Sequence, residues 1–214
     1  MTALAIRLMA RADLDAACEV IGLAFADNPS TLANVRGDRT KAKAMMQRAV
    51  RVAKLGRPFS RVLLAEDQGR LVGVLNAVPW PQCQLNAFER LKTAPRMIRI
   101  MGAALPSALK MTNARATHDP RIPHWHVGPV GVHPNCQGHG VGNALLTSFV
   151  EFADEHATSA FLETDVDRNV KLYEQFGFRV IAEADIIGIN TRFMLRDARP
   201  VGRVAPAGFG VPNG

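Results

Sequence analysis

Apolar residues return every three or four positions through Leu14, Cys18, Ile21 and Phe25, the spacing of one face of an amphipathic helix. A short strand, about 5–9, precedes them, and Asp13 stands where an N-cap would. Gly37 and Asp38 introduce a second helix over about 39–55, with Met45, Ala49 and Val52 on one face and Arg48, Arg51 and Lys54 on another. Two β-rich runs, 61–66 and 70–78, flank an Asp-Gln-Gly turn and predict a hairpin. From about 82 to 123 the period becomes helical and Met-rich, with breaks expected at Pro95 and Pro106. These helices read as an insertion into the main fold, not as a second domain.

The stretch HWHVGPVGV (124–132) is strand-like but interrupted by Gly128 and Pro129. A fully paired central strand tolerates that poorly, so a bulge or an unpaired edge is expected there. NALLTSFVEFADEHA then reads as an amphipathic helix with Leu145, Phe149 and Phe152 inward. AFLETDV predicts a strand, NVKLYEQFGF a short helix stopped by Gly177, and RVIAEADII with NTRFMLRD a last hairpin. Strands and helices alternate between hairpins at both ends, which predicts a mixed α/β (α+β) sheet in one domain over 1–198. The Pro/Gly-rich end, 199–214, is expected to be disordered.

Composition narrows the classes. Hydrophobic residues make up 48% and charged ones 21%, a globular balance. No apolar run approaches the roughly 18 residues that span a bilayer, and the first residues lack a signal-peptide core; a soluble cytoplasmic protein is expected. Three scattered cysteines, Cys18, Cys83 and Cys136, form no CxxC pair, so neither a disulfide framework nor a metal is expected. The net charge of +7 is uneven: residues 1–123 carry 19 Lys/Arg against 9 Asp/Glu. Much of the excess lies in 36–61, either a solvated helix face or an attraction for anionic ligands. Only 6% of residues are aromatic and no stacking motif accompanies them, so a nucleic-acid-binding module is the weaker reading.

The chemistry concentrates in VHPNCQGHGVGNALL, 132–146, where Gly138, Gly140 and Gly142 fall at a strand-to-helix junction. A dinucleotide fingerprint would need a third glycine at Asn143 or Leu145, and a P-loop would need a lysine after the glycines. Both fail. A phosphate cradle of backbone amides at a helix N-terminus remains, beside the plainer alternative of a tight turn.

The order Gln137-x-x-Gly140-x-Gly142 after a Val-rich strand, then NALL, resembles the acetyl-CoA pyrophosphate motif of the GNAT superfamily of N-acetyltransferases. FLETDVDRNVKLYEQFGF downstream is similar to that superfamily's LE…N…LYE…GF stretch, and both segments look most like the puromycin N-acetyltransferase branch. The resemblance implies a twisted mixed sheet of six or seven strands flanked by helices, with the helical insertion before the cofactor-binding strand. It implies acetyl-CoA as cosubstrate, with the pantetheine arm on backbone groups of Val130 and Val132. The pyrophosphate would lie on Gln137 and the amides of Gly138, His139, Gly140, Val141, Gly142 and Asn143.

By the same resemblance, Tyr173, the one tyrosine of the chain, is the general acid for the departing thiolate, and Glu163 the base. Asn169 would cap the Tyr-bearing helix and touch the cofactor. His124 and His126 share a strand face where they either relay a proton or serve the fold. Cys136 beside the cradle reads as a spectator. The acceptor, a small-molecule amine or a protein lysine, would meet the first helices and the Met-rich insertion, with Phe25, Asp27, Trp80, His124 and His126 lining it. The basic first half disfavours a strongly cationic small amine. A non-catalytic acyl-CoA-binding regulator is the alternative, and oligomeric state is not legible.

Overall fold

The computed structural model describes residues 4–199, so all but the first residue of the expected disordered tail lies outside the described residues. The predicted hairpin 61–66/70–78 is found as β2 (Arg61–Asp67) and β3 (Arg70–Pro79), joined at Gln68 and Gly69. With β1 (Ala5–Leu8), β4 (His124–Val132), β5 (Ser159–Thr164), β6 (Arg179–Asp185) and β7 (Asn190–Arg196) they build a seven-stranded sheet. Its order is β1-β2-β3-β4-β5-β7-β6. Every pairing is antiparallel except β4–β5.

That one parallel pairing is short. His124, Trp125 and His126 face Ser159, Ala160 and Phe161, and there the two strands part. On its other side β4 stays with β3, but the register slips between Leu75 and Ala77, so Gly128 and Pro129 bulge opposite Asn76. The fully buried Asn76 side chain donates to the Gly128 carbonyl at 2.7 Å. The bulge and the open edge expected from the Gly-Pro interruption are both present.

Helices cover both faces. On one, α6 (Val141–Glu155) buries Val141, Leu145, Leu146, Phe149 and Ala153 against Leu63, Ala65, Leu75 and Leu162. Each such large side chain contributes about 1.5–3 kcal/mol on leaving water. The helix approaches so closely that a Cβ at Gly73 would stand 2.6 Å from Val141 Cγ1; glycine there lets the N-terminus of α6 rest on the sheet. Phe152, expected inward, is only partly buried: its ring meets Trp125 edge-on at 5.3 Å, with the Arg61 guanidinium 3.6 Å over it. On the other face α1 (Leu14–Ala24), α2 (Pro29–Asn34) and α3 (Arg39–Val50), the last running into a π-helical turn over Arg51–Leu55, enclose a second core with Ile21, Val50, Leu64 and Val74.

Two local expectations change. Asp13 stands at the N-cap position of α1, but its side chain does not cap the helix; it ends a 3-10 turn, where its carboxylate accepts the Ala10 N–H at 2.7 Å and pairs with Arg7 at 2.6 Å. The insertion is two helices, α4 (Ala87–Met101) and α5 (Leu105–Thr117), but Pro95 lies inside α4 without ending it. No residue of α4 is buried, so solvent satisfies the carbonyl that proline leaves free. The break comes at Gly102, whose φ is +50°, and Pro106 sits in the first turn of α5, where no helical bond is lost. Among the described residues no helix is long and apolar enough to cross a membrane.

Candidate active site

Where β4 leaves β5, its second edge opens into a cavity of about 970 Å³. One end of the cavity is the glycine turn. After a 3-10 turn over Pro134–Cys136, Gly138 and Gly140 take φ of +79° and +81°, and Gly140 is the N-cap of α6. A Cβ at either would meet no atom within 4 Å, so the glycines answer to backbone handedness rather than to crowding by the chain itself. The first turn of α6 has no acidic residue and no side-chain cap. The N–H groups of Val141, Gly142 and Asn143 therefore lack intrahelical partners at the positive end of a 15-residue helix. Those are the donors a diphosphate needs. The Gln137 side chain donates to the Val132 carbonyl at 3.3 Å and ties the turn to the end of β4.

The middle of the cavity is walled by Val130 and Val132 of β4 and by Glu163, Asn169 and Tyr173. Glu163 projects from β5, and α7 (Asp167–Glu174) carries Tyr173. The phenol is buried, its ring edge-on to Phe178. Burial and the Glu163 charge push it up to about 12, so it remains a neutral O–H donor. Glu163 Oε2 lies 2.9 Å from His126 Nε2. Burial alone would raise this carboxyl; the charge and hydrogen bond of His126, with Arg115 and Lys54 beyond, bring it down to about 2. Burial opposes charge on His126 too, but Glu163 and Asp119 outweigh it and hold the imidazole well above its usual value.

The far end is the wall made by the first helices and the insertion. Met45 and Met46 of α3, Met97 and Met101 of α4 and Met111 of α5 line it with Phe25 and Asp27. Asp165, at the end of β5, fastens this wall: it pairs with Arg115 of α5 at 2.8 Å and accepts from Thr191 Oγ1 at 2.7 Å and from Ser30 Oγ. An open-edged strand, a free helix N-terminus, a carboxylate and a phenol thus share one cavity.

The sequence model of the acetyltransferase (GNAT) family matches residues 36–178. The chain belongs to the GNAT acetyltransferase family. Solved structures agree on the fold. A Corynebacterium glutamicum protein named as histone acetyltransferase HPA2 and related acetyltransferase is 22% identical, with TM-score 0.68 over 94% of this chain and 99% of its own. Salmonella typhimurium YncA, solved with its cofactor acetyl-CoA, is 16% identical with TM-score 0.56 over 99% of each chain. The Drosophila melanogaster polyamine N-acetyltransferase is 13% identical with TM-score 0.58, over 91% of this chain and all of its own.

Within this GNAT chain most of the residues singled out from sequence gather at the cavity: Val130, Val132, Gln137, Gly138, Gly140, Val141, Gly142, Asn143, Asn169, Glu163, Tyr173, His126, Phe25 and Asp27. Three do not line it. His139 is exposed on the turn. Trp80 lies beyond the end of β3, its backbone N–H donating to the His124 carbonyl at 2.8 Å, and is not among the cavity-lining residues. His124 is wholly buried behind His126, its Nδ1 2.8 Å from the Ile122 carbonyl. Asn169 is the third residue of α7 and not its cap, because Val166 already takes the extended N-cap conformation; its side chain turns back to Thr164 at 3.5 Å. Sequence reasoning missed Arg115 and Asp165, whose pairing spans 50 residues. The acidic pair Asp165/Asp167 right after a strand was the one signal available.

Proposed function

We propose that this GNAT protein is an acetyl-CoA-dependent N-acetyltransferase that moves acetyl directly to the amine of a small molecule. The observation that carries the reading is the continuity of one cavity from the free N-terminus of α6, along the open edge of β4, to Tyr173 and Glu163. The N–H groups from Gly138 to Asn143, with no carboxylate in that first helical turn, fit a pyrophosphate. The β4 edge at Val130 and Val132 fits a pantetheine arm added like a strand. When bound, acetyl-CoA supplies the acyl group and a thiolate leaving group.

This chain's residues then divide the chemistry among them. Tyr173 O–H lies at the cavity wall and protonates the departing sulfur. With the phenol near 12 and a thiol near 8.5, that transfer is uphill, so its contribution is at the low end for general acids, about ten- to a hundredfold. Glu163, held by His126, stays ionised and draws the acceptor nitrogen toward the reacting carbon. It stabilises the positive charge that grows on nitrogen during attack, and takes the nitrogen's proton as the thiolate leaves, passing it to solvent through the open cavity. Cys136 remains outside this chemistry.

Methionines and Phe25 around the acceptor end suit an amine with an apolar body. This apolar wall is the observation that favours a small molecule over a protein lysine; the polyamine named for the Drosophila neighbour agrees with it, while the Corynebacterium neighbour is named for histone. The test is release of free thiol from acetyl-CoA by the purified protein with a panel of aryl, alkyl and polyamine acceptors. Release above the hydrolysis blank for at least one amine supports the reading; no release for any amine of the panel overturns it.

A further inference from the structure

Four side chains outside the proposed transfer chemistry, or at its edge, converge on one point. Cys83 comes from the turn after β3, Asp119 from the loop after α5, and His124 and His126 from the start of β4. One ligand atom from each lies within 4.8 Å of all the others. Cys83 Sγ is 3.4 Å from Asp119 Oδ2, while Asp119 Oδ1 is 3.1 Å from His124 Nε2 and 3.5 Å from His126 Nδ1. The side chains of Asp119 and His124 are 3% and 0% exposed.

The hydrogen bonding is lopsided. Each imidazole already uses its outer nitrogen: His124 Nδ1 against the Ile122 carbonyl at 2.8 Å, His126 Nε2 against Glu163 at 2.9 Å. If those outer nitrogens carry the ring protons, the inner ones are lone pairs. Asp119 Oδ1, His124 Nε2 and His126 Nδ1 are buried with no hydrogen bond of acceptable geometry. With both rings neutral, three buried acceptors and a thiol point at one another, an arrangement that matches a cation and that protons on the inner nitrogens relieve in its absence. Metal–N and metal–O bonds of about 2.0 Å and a metal–S bond of about 2.3 Å, at the tetrahedral angle, put neighbouring donors about 3.3–3.5 Å apart. The two separations from Asp119 Oδ1, 3.1 and 3.5 Å, are of that size, and the four donors all lie within 4.8 Å of one another.

We propose that Cys83, Asp119, His124 and His126 form a buried four-coordinate zinc site. Thiolate and imidazole donors favour zinc over the all-oxygen shells of calcium or magnesium. On binding, the Cys83 S–H and the inner ring N–H groups of His124 and His126 give their protons to solvent. The thiolate and the Asp119 carboxylate then balance the two charges of the ion, with both histidines neutral. The Ile122 carbonyl and the Glu163 carboxylate take the outer ring N–H groups, the usual second layer of such a site. All four positions are filled by protein, so the ion is structural. Its place in the chain shows what it fastens. Cys83 and Asp119 stand at the two feet of the α4–α5 insertion, and the ion clips both to β4. Through His126 it also sets the orientation of Glu163. The absence of CxxC pairing hid the site, because its ligands are gathered from turn, loop and strand.

The test is metal content and cobalt substitution of the full chain. After exchange into buffer with trace zinc and a weak chelator, the wild type is expected to retain one zinc per chain. Replacement by Co(II) is expected to give tetrahedral ligand-field absorption and a thiolate-to-metal charge-transfer band. That band is retained in Cys136→Ser and lost in Cys83→Ser. Should Cys83→Ser fail to fold, Asp119→Asn and the wild-type charge-transfer band, read in Cys18→Ser and Cys136→Ser, still locate the thiolate. Failure of the wild type to retain zinc, or a charge-transfer band that persists without Cys83, overturns the proposal.

Discussion

His126 Nε2 and Glu163 Oε2 lie 2.9 Å apart across the point where β4 and β5 separate. The last residue of β4 that pairs with β5 thus holds the carboxylate that faces the cavity. Strand divergence does two things at once: it opens an edge for the cosubstrate and leaves room for this ion pair at the apex.

Glu163→Gln keeps the shape and a hydrogen bond to His126 but removes the charge that stabilises the attacking nitrogen. It is expected to lower kcat/KM for the accepted amine by about a hundredfold or more, with little change in the affinity for acetyl-CoA. Steady-state kinetics beside calorimetric cofactor titration checks this.

Tyr173→Phe is expected to lower kcat about ten- to a hundredfold without weakening acetyl-CoA binding. Because the phenol is raised from the usual 10 to about 12, the active, protonated form persists through the whole working range. The rate profile should therefore show no alkaline fall due to Tyr173 between pH 7 and 10. On stability the sign is fixed by the raised value: its contribution is complete below pH 10 and is lost as pH climbs from 10 to about 12. Comparing wild type and Tyr173→Phe in both measurements isolates the phenol.

Gly140→Ala forces a side chain onto a backbone with φ of +81°. With open space around the new methyl, the cost is conformational, about 1–2 kcal/mol. If the turn is the pyrophosphate cradle, cofactor affinity falls further than stability does. Denaturant unfolding and acetyl-CoA titration on the same variant separate the two.

Arg115→Met leaves Asp165 buried with only the hydroxyls of Ser30 and Thr191. Loss of a charged hydrogen bond predicts about 1.5–3 kcal/mol of destabilisation, reduced because Arg115 is a quarter exposed. Since this pair fastens α5 to the end of β5, KM for the amine is expected to rise while KM for acetyl-CoA stays.

The elements that periodicity and turn chemistry encode locally were legible. The 61–79 hairpin, the helix after the glycines and the Gly-Pro interruption of β4 each declare themselves within a few residues. The glycine turn was legible too, since positive φ at Gly138 and Gly140 is a demand that sequence states openly. What stayed hidden depends on distant partners. Asp13 reads as a cap until Arg7 claims it. Trp80 and His124 read as substrate-facing because strand alternation does not tell which neighbour covers a face. Arg115, Asp165 and the Cys83–Asp119–His124–His126 cluster come together only through the fold. Pro95 misled for the opposite reason: propensity predicts a break, but an exposed helix finds solvent for the orphaned carbonyl.

The most direct test of direct acetyl transfer is single-turnover mass spectrometry with isotopically labelled acetyl-CoA, read on both amine and protein. The label is expected on the amine nitrogen at the rate of thiol release, with none on Cys136 or any other residue at any time. Thiol release without labelled amine, or label that reaches the protein before the amine, contradicts it.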